Sequence, residues 1–417
     1  AVLIGKPMVS TRESLKSWLR LSLTPGVGNI TARALLQAFG LPETLFQRSA
    51  SELQAIVSPA VSQQLCKEPE GLEDTLNITW DWLQKPAPRH AQATLHKRLL
   101  TLADADYPSS LMLTPDPPCL LYVMGQTQHL HLLSPAAFKA PRAVAVVGSR
   151  NPTPQGRLNA NEFASSLAQA GLTVVSGLAL GVDTEAHCGA LQGGTAANPL
   201  RTVAVVGTGL DRVYPQQNHA LALNIAAHGL LISEYPLNTP PITANFPKRN
   251  RLIAGLSQGC LVVEAAMRSG SLITAKQALD MGKEVFAIPG SIHTTVAKGC
   301  HDLIKQGAKL VDCAQDILEE LKDLPIANAR AFHSAGFEEQ LDGHDFENDL
   351  PTEDPTALKV LGHLGHDPVG LDELQMRSGL PTAQLQAALF QLELHGALGR
   401  LPGGLYQKLK RSSARQP

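Results

Sequence analysis

Three cations fall close together in the middle of the chain. They are Lys248, Arg249 and Arg251, with Asn250 between them, and Phe246 is the nearest aromatic residue. Further along, the segment Arg268-Ser-Gly-Ser-Leu-Ile-Thr-Ala-Lys276 predicts a Gly/Ser loop that opens a helix. The unpaired N–H groups of a helix start and the positive end of the helix dipole suit a phosphate. The pattern therefore predicts a polyanion site, although a solvated charged segment followed by an ordinary capped helix would look the same.

The overall charge confines such a site to one region. The 417 residues carry a formal net charge of −2, which argues against a protein that coats DNA by positive charge alone. Between residues 142 and 310, 14 basic side chains face 9 acidic ones, so the positive charge is concentrated in the middle of the chain. A polyanion site is therefore expected to be local.

Composition also limits the class of protein. The length suggests about two to four domains. The six cysteines are scattered without a CxxC pair, which favours a reducing cytoplasm and predicts neither disulfides nor a zinc site. No apolar segment approaches the ~20 residues of a membrane span. We expect a cytoplasmic protein without a membrane segment, a bound metal or a cofactor.

The elements that position the cations follow from the hydrophobic pattern. From residue 142, short β-branched strands alternate with helical stretches, which predicts a Rossmann-like, doubly wound, mostly parallel sheet. The predicted strands are Ala143–Val147, Thr173–Val175, Thr202–Val206, Leu230–Ile232, Leu261–Val263 and Val285–Ile288. Small residues follow most of them, at the edge where open α/β sheets bind ligands.

The remaining chain suggests further domains. Residues 1–100 are predicted to form a helical, SAM-like domain with one helix-hairpin-helix at Gly26 and Gly28, and residues 101–324 the Rossmann-like domain. Residues 325–355 are rich in acidic side chains and predict a flexible linker. Residues 356–417 predict a winged helix. Because its third helix, at residues 382–395, contains no Lys or Arg, a protein contact or regulatory role is favoured over duplex recognition.

The loop after the first Rossmann strand carries Gly148, Ser149 and Arg150. It is neither GxGxxG nor a P-loop, which leaves a loop with amide, hydroxyl and guanidinium donors suited to phosphate, or an ordinary βα turn.

Several acidic residues could instead support catalysis. Asp183 and His187 are four residues apart, as in a metal pair or an acid–base dyad, but a local hydrogen bond that fixes a helix start is the favoured interpretation. Glu234 and Glu264 follow strands and could form a carboxylate pair, although structural capping is favoured because no Gly-Gly-x-Gly-Thr loop precedes either. A nucleotide-processing enzyme of the phosphoribohydrolase type therefore stays open as the alternative function.

Several ordered motifs resemble the DNA-processing protein A family, also called Smf. They are Val144-Ala-Val-Val-Gly-Ser-Arg150, Val175-Ser-Gly-Leu-Ala-Leu-Gly-Val-Asp-Thr-Glu-Ala-His187, Gly207-Thr-Gly-Leu-Asp-Arg-Val-Tyr-Pro215, Phe246-Pro-Lys-Arg-Asn-Arg-Leu-Ile-Ala-Gly-Leu256 and Ser269-Gly-Ser-Leu-Ile-Thr-Ala275. The resemblance extends from about residue 103 to residue 311. The segment Gly299-Cys-His-Asp-Leu-Ile304 departs from the family pattern of Gly-x-Asn before Leu-Ile.

The resemblance implies a cytoplasmic bacterial protein of natural transformation. Such proteins bind and protect incoming single-stranded DNA, form homodimers through the Rossmann-like domain and load the RecA recombinase, with no known catalytic reaction. The implied DNA and phosphate contacts are Gly148, Ser149, Arg150, Phe246, Lys248, Arg249, Asn250, Arg251, Ser269, Gly270, Ser271 and Thr274. Because aromatic residues make up only 4% of the chain, stacking cannot be extensive, and we expect backbone contacts to dominate.

Overall fold

The structure is a computed structural model that describes residues 9–86, 95–133, 143–195, 198–321, 354–364, 368–401 and 404–409. The predicted linker at 325–355 therefore lies almost entirely outside the described residues. Within the described part of the chain, no helix has both the length and the apolar character needed to cross a membrane.

The N-terminal region consists of helices. They are α1 Arg12–Leu23, α2 Asn29–Phe39, α3 Pro42–Leu45, α4 Ala50–Leu53, α5 Pro59–Leu65 and α6 Leu72–Gln84. α1 begins at a capping box, in which the Thr11 hydroxyl accepts from the Ser14 amide. Gly26 has a φ of +84°, which permits the tight turn between α1 and α2 predicted from the two glycines.

A large sheet occupies the middle of the chain. Its strands are β1 His96–Thr101, β2 Leu120–Gly125, β3 Ala143–Val147, β4 Thr173–Ser176, β5 Thr202–Val205, β6 Leu230–Ser233, β7 Gly259–Val262, β8 Glu284–Ala287 and β9 Lys309–Leu310. Its α-helices are α7 Ser109–Met112, α8 Pro154–Gln169, α9 Val182–Gly193, α10 His219–His228, α11 Asn245–Leu256, α12 Gly270–Asp280, α13 Lys298–Lys305 and α14 Ala314–Glu320. Short 3-10 helices span Thr127–Leu133, Gln216–Asn218 and Thr295–Ala297.

The strand order is β1-β2-β6-β5-β4-β3-β7-β8-β9. β2 pairs antiparallel with β1 and β6, and the other neighbours pair parallel. The doubly wound, mostly parallel sheet predicted from the sequence is thus confirmed. After β6 the chain returns to place β7 beside β3, so the strand order reverses between these two strands. In open α/β sheets, ligands bind outside the carboxyl ends of the strands at such a reversal.

The helical N-terminal region packs directly on the sheet. Trp18 and Leu76 lie in the same buried cluster as Tyr122 and Met124 of β2. β1 begins at His96, ahead of the predicted domain boundary at residue 100, and was not among the strands predicted from the sequence. The N-terminal helices therefore share a hydrophobic core with the sheet.

The C-terminal region is a winged helix, as predicted. It contains α15 Pro355–His363, β10 Val369–Gly370, α16 Leu371–Ser378, α17 Thr382–Leu394, β11 Leu398–Leu401 and β12 Leu405–Lys408. The three strands pair in the order β10-β12-β11, and the helices enclose a separate apolar core.

Candidate nucleic-acid interface

The loops after β3 and β7 are joined by backbone hydrogen bonds at the reversal of strand order. The Ser149 amide donates to the Glu264 carbonyl over 2.7 Å, and the Val182 amide donates to the Ser149 carbonyl over 3.1 Å. A Cβ at Gly148 would come within 2.7 Å of the Val182 side chain, so only glycine fits there. Since the backbone of this loop is fixed, the exposed Arg150 side chain projects from a rigid base.

The first turns of α11 lie across the same edge of the sheet. The Asn245 side-chain amide donates to the Gly207 carbonyl after β5 over 3.2 Å. The Asn250 side-chain amide donates to the Gly270 carbonyl, at the start of α12, over 3.3 Å. α11 thus bridges the loops after β5 and β7. It places the cationic segment near the reversal of strand order between β3 and β7.

The helical conformation of α11 separates the three cations. Successive residues of an α-helix point about 100° apart. Lys248 is exposed, Arg249 is 4% exposed, and the Arg251 side chain is 12% exposed. The burial of Arg249 and Arg251 therefore disagrees with their implied role as DNA contacts, and only Lys248 of the three is exposed.

Arg249 is directed into the protein beneath the edge. Its Nη1 donates to the Gly177 carbonyl over 2.7 Å and also to the Val205 carbonyl, so it joins the ends of β4 and β5. Burial lowers the pKa of its guanidinium to about 10, and the nearby Asp183 carboxylate opposes that shift. Burial raises the pKa of Asp183, although the positive charge of Arg249 acts to lower it. Arg249 therefore supports the edge from below and does not face a ligand.

Arg251 is held by carboxylates on other elements. It forms an ion pair with Asp116 over 2.9 Å and a second with Glu234 at the end of β6. Burial raises the pKa of Glu234, and the charge of Arg251 lowers it. Arg251 thus ties α11 to the segment before β2 and is not available as a free cation.

Two predicted contacts on α12 also point inward. Thr274 is 1% exposed and Ser271 is 7% exposed, because both lie on the face of α12 that packs on the sheet. Ser269 is the N-cap residue of α12, and its hydroxyl accepts from the Ser271 amide. Gly270 is exposed beside it, so the helix start itself remains accessible at the edge.

The exposed part of the edge combines cations with aromatic rings. Arg150, Lys248 and Arg268 are exposed and have no ion-pair partner among the residues that the structure describes. The Arg150 guanidinium carbon lies 5.7 Å from the centre of the Phe246 ring, within the range of a cation–π contact. The centre of the Tyr214 ring lies 5.6 Å from the centre of the Phe246 ring. This set can attract phosphates and stack on bases.

Arg268 and Tyr214 were not among the site residues predicted from the sequence. Arg268 could have been included, because it directly precedes the Ser-Gly-Ser loop after β7. Tyr214 follows β5 within one of the recognised motifs, but only the folded chain brings it to Phe246, 32 residues later.

The candidate catalytic acids all have structural contacts. The Glu264 carboxylate accepts from the Thr153 amide over 2.9 Å and from its hydroxyl over 2.6 Å, and so occupies the start of α8. Asp183 accepts from the Gly177 and Ala179 amides over 3.1 and 3.3 Å. These bonds agree with the favoured structural interpretation of both residues.

His187 does not form a dyad with Asp183. Its Nδ1 lies 2.7 Å from the Thr202 hydroxyl, which itself donates to the Val174 carbonyl, so Nδ1 carries the proton. Burial, followed by the charge of Arg249, lowers the pKa of His187 to about 3. The imidazole is therefore a neutral core group between β5 and α9.

Comparison with known proteins agrees with this arrangement. The model of the family described as "DNA recombination-mediator protein A" matches residues 98–322, and that of the "DprA winged helix domain" matches residues 345–404. The chain belongs to the DNA recombination-mediator protein A family.

Relatives within this family cover most of the chain. Protein Smf of Synechocystis sp. is 34% identical over 408 residues, which are 94% of this chain and 98% of the relative. Protein Smf of Escherichia coli is 38% identical over 79% of this chain and 80% of its own length. The X-ray structure of DNA processing protein A from Streptococcus pneumoniae superposes with a TM-score of 0.59 and 36% identity, over 74% of this chain and 98% of that one.

The buried position of Arg249 predicts a large effect on stability. Arg249→Met leaves the buried carbonyls of Gly177 and Val205 without this donor, which costs about 1–3 kcal/mol. Lys248→Met, on the exposed face of the same helix, should change the free energy of unfolding by less than about 0.5 kcal/mol. Urea unfolding followed by circular dichroism measures both. Equal stability of the two variants would contradict the burial of Arg249.

The buried His187 predicts a pH dependence of stability. In the unfolded chain its pKa returns to about 6.5, so below that pH the unfolded state binds more protons than the folded state. Stability present above pH ~6.5 should be lost as the pH falls towards 3, with a slope of up to about 1.4 kcal/mol per pH unit. Wild type should lose its advantage over His187→Gln between pH 7 and 5 in thermal melts. The exposed His219→Gln serves as control, and a pH-independent difference would show that His187 titrates normally.

Proposed function

We propose that this protein binds single-stranded DNA along the carboxyl edge of its sheet and acts as a recombination mediator of natural transformation. In this role it protects the incoming strand and loads RecA onto it. The observation that carries the proposal is the exposure of Arg150, Lys248 and Arg268 on the loops and the helix at the carboxyl edge, with Arg150 over the ring of Phe246. Membership of the family of DNA recombination mediators supports the same conclusion.

The chemistry of the edge favours a single strand without strong sequence preference. Proteins of this kind combine a positively charged track for phosphates with aromatic side chains on which bases stack. Arg150, Lys248 and Arg268 supply the charge, and the exposed start of α12 adds the positive end of a helix dipole. No hydrogen-bonding code for particular bases is needed for this binding.

The candidate catalytic carboxylates already make structural contacts, which supports a mediator without catalytic activity. Glu264 caps α8, Glu234 pairs with Arg251, and Asp183 compensates Arg249. A general acid or base needs a proton position within reach of substrate. Since each carboxylate already serves a structural partner, the phosphoribohydrolase-like alternative gains no support from their geometry.

Removal of the exposed cations should weaken binding through phosphate contacts. The double variant Lys248→Ala, Arg268→Ala should bind a thymidine oligonucleotide more weakly, and its log–log salt dependence should flatten by roughly 0.7 per lost phosphate contact. Lys305→Ala is the matched control, because this exposed lysine ends α13, at the opposite edge of the sheet. Filter-binding titrations from low to high salt measure the slope. An unchanged slope in the double variant would remove both residues from the interface.

The mediator activity should depend on the same cations. Wild-type protein should shorten the lag in RecA filament assembly on a coated single strand, and the double variant should do so less. Incubation with nucleoside monophosphates should release no free base. Base release by wild type that is lost in Glu264→Gln would favour the enzyme instead.

The protein should act as a homodimer, because a strand longer than one binding edge is held better by two linked sites. Light scattering at micromolar concentration should give the mass of two chains. A monomer mass under these conditions would argue against the dimer.

A further inference from the structure

The hairpin of the winged helix lies against the start of α8. Gly399 of β11 and Gln407 of β12 are cross-strand partners, so they share one face of the hairpin. Both are buried, with Gln407 only 8% exposed. A Cβ at Gly399 would come within 2.6 Å of the ring of Pro154, the first residue of α8. This face of the hairpin is therefore in direct contact with the domain that contains the large sheet.

The opposite face of the hairpin belongs to the winged helix itself. Side chains alternate between the two faces of a strand, so Leu398 and Arg400 lie on the face away from α8. Leu398 is buried in the apolar core of the winged helix, and Arg400 lies over the Tyr406 ring at 6.0 Å. A glycine within a strand lets another segment approach the backbone closely, as Pro154 does at Gly399. Both faces of the hairpin thus make contacts, one within the winged helix and one with α8.

The contact lies at the carboxyl edge of the large sheet. Gln407 lines a cavity of about 200 Å³ together with Thr153, Glu264 and Gly290. Thr153 precedes α8, Glu264 follows β7, and Gly290 follows β8. Since β3, β7 and β8 are parallel neighbours, their carboxyl ends share one edge. The hairpin therefore covers the part of this edge that β7 and β8 form.

The exposed cations occupy the neighbouring part of the same edge. Arg150 is exposed in the loop after β3, four residues before Pro154. Lys248 lies on α11, which bridges the loops after β5 and β7. A strand that runs along the edge from β5 past β3 meets the hairpin at β7 and β8. The hairpin and a long strand therefore compete for that part of the edge.

The contact has the character of a reversible one. The winged helix encloses its own apolar core, so its fold does not depend on α8. Contacts between the domains of one chain generally resemble transient interfaces. Because both partners belong to the same chain, their effective concentration is high, and a contact made by few residues can still be well populated.

We propose that the winged helix docks in cis through the Gly399 and Gln407 face of its hairpin and closes the carboxyl edge beyond β3. In the docked state one chain holds only a short single strand between β5 and β3. Undocking opens the edge at β7 and β8 to a longer strand. The inference rests on the proposed function and assigns the winged helix a regulatory role in it.

Disulfide trapping tests the docking without DNA. Pro154→Cys with Gly399→Cys places two thiols at the contact, and Pro154→Cys with Arg400→Cys is the control with the second thiol on the opposite face. Cys66→Ser and Cys313→Ser in both variants remove the exposed native thiols. A disulfide needs Cβ atoms about 3.5–4.5 Å apart, which a small outward shift of the hairpin allows. Thermal melts of the reduced variants show whether the fold is retained.

Under mild oxidation the Gly399 pair should form a disulfide within one chain much faster than the Arg400 pair. A non-reducing gel should show this product as a band of altered mobility at the mass of one chain. A product with the mass of two chains would place the docking between chains. Equal rates for the two pairs would show that the hairpin has no preferred face towards α8. Either result overturns the inference.

Oligonucleotides of two lengths test the closing of the edge. Fluorescence anisotropy compares about 6 thymidines with about 30, because single-strand sites commonly span about 4–16 nucleotides. The oxidised Pro154→Cys, Gly399→Cys variant should bind the long strand more weakly than the same protein after reduction, and the short strand equally well. Gln407→Glu sets a second carboxylate beside Glu264 and should undock the hairpin. It should bind the long strand up to about tenfold more tightly than wild type, as expected if about nine in ten wild-type molecules are docked.

The outcomes separate this inference from the proposed function. If the disulfide forms within one chain but the oxidised and reduced proteins bind the long strand alike, the hairpin docks without closing the edge. The inference is then overturned, while the DNA-binding edge stands. If neither form, nor wild type, binds either oligonucleotide, the proposed function itself fails.

Discussion

The interface depends on one buried guanidinium. Arg249 reaches from α11 to the carbonyls of Gly177 and Val205, and so ties the helix to the ends of two neighbouring strands. Asp183 compensates its charge and at the same time orders the loop after β4. The planar guanidinium of arginine carries several N–H donors, so it can donate hydrogen bonds to two carbonyls at once. With α11 fixed in this way, Phe246 and Lys248 are held at the surface of the carboxyl edge.

The sequence predicted the sheet well but not the direction of the cations. Buried strands of β-branched residues depend on local pattern, which is why six strands of the sheet were predicted correctly. The segment Lys248 to Arg251 looks like one charged surface only when its helical conformation is ignored. Arg249 precedes Leu252, Ile253 and Leu256 at spacings of three, four and seven residues, the pattern of a buried helix face. That spacing could have identified Arg249 as an internal cation. Tyr214 could not be found in this way, because its contact with Phe246 exists only after folding.

The carboxylates near the carboxyl edge of the sheet make structural contacts there. Glu264 occupies the start of α8, where a ligand phosphate could otherwise bind, whereas the start of α12 is exposed two residues after Arg268. The anion-binding capacity of the edge is thereby concentrated at the reversal of strand order. The winged helix differs in character, since α17 exposes Phe390 and Leu394 and carries no basic residue. The carboxyl edge of the sheet thus exposes cations, whereas α17 exposes apolar side chains of the kind found at protein contacts.

The central claim is that the arginines of the edge divide into an exposed set that meets DNA and a buried set that supports it. Modification by phenylglyoxal, located by mass spectrometry with and without a thymidine oligonucleotide, tests this division directly. The account predicts rapid modification of Arg150 and Arg268, protection of both by the oligonucleotide, and little reaction at Arg249 and Arg251 in either sample. Reaction of Arg249 as fast as that of Arg150, or no protection of Arg150 by the oligonucleotide, would contradict it.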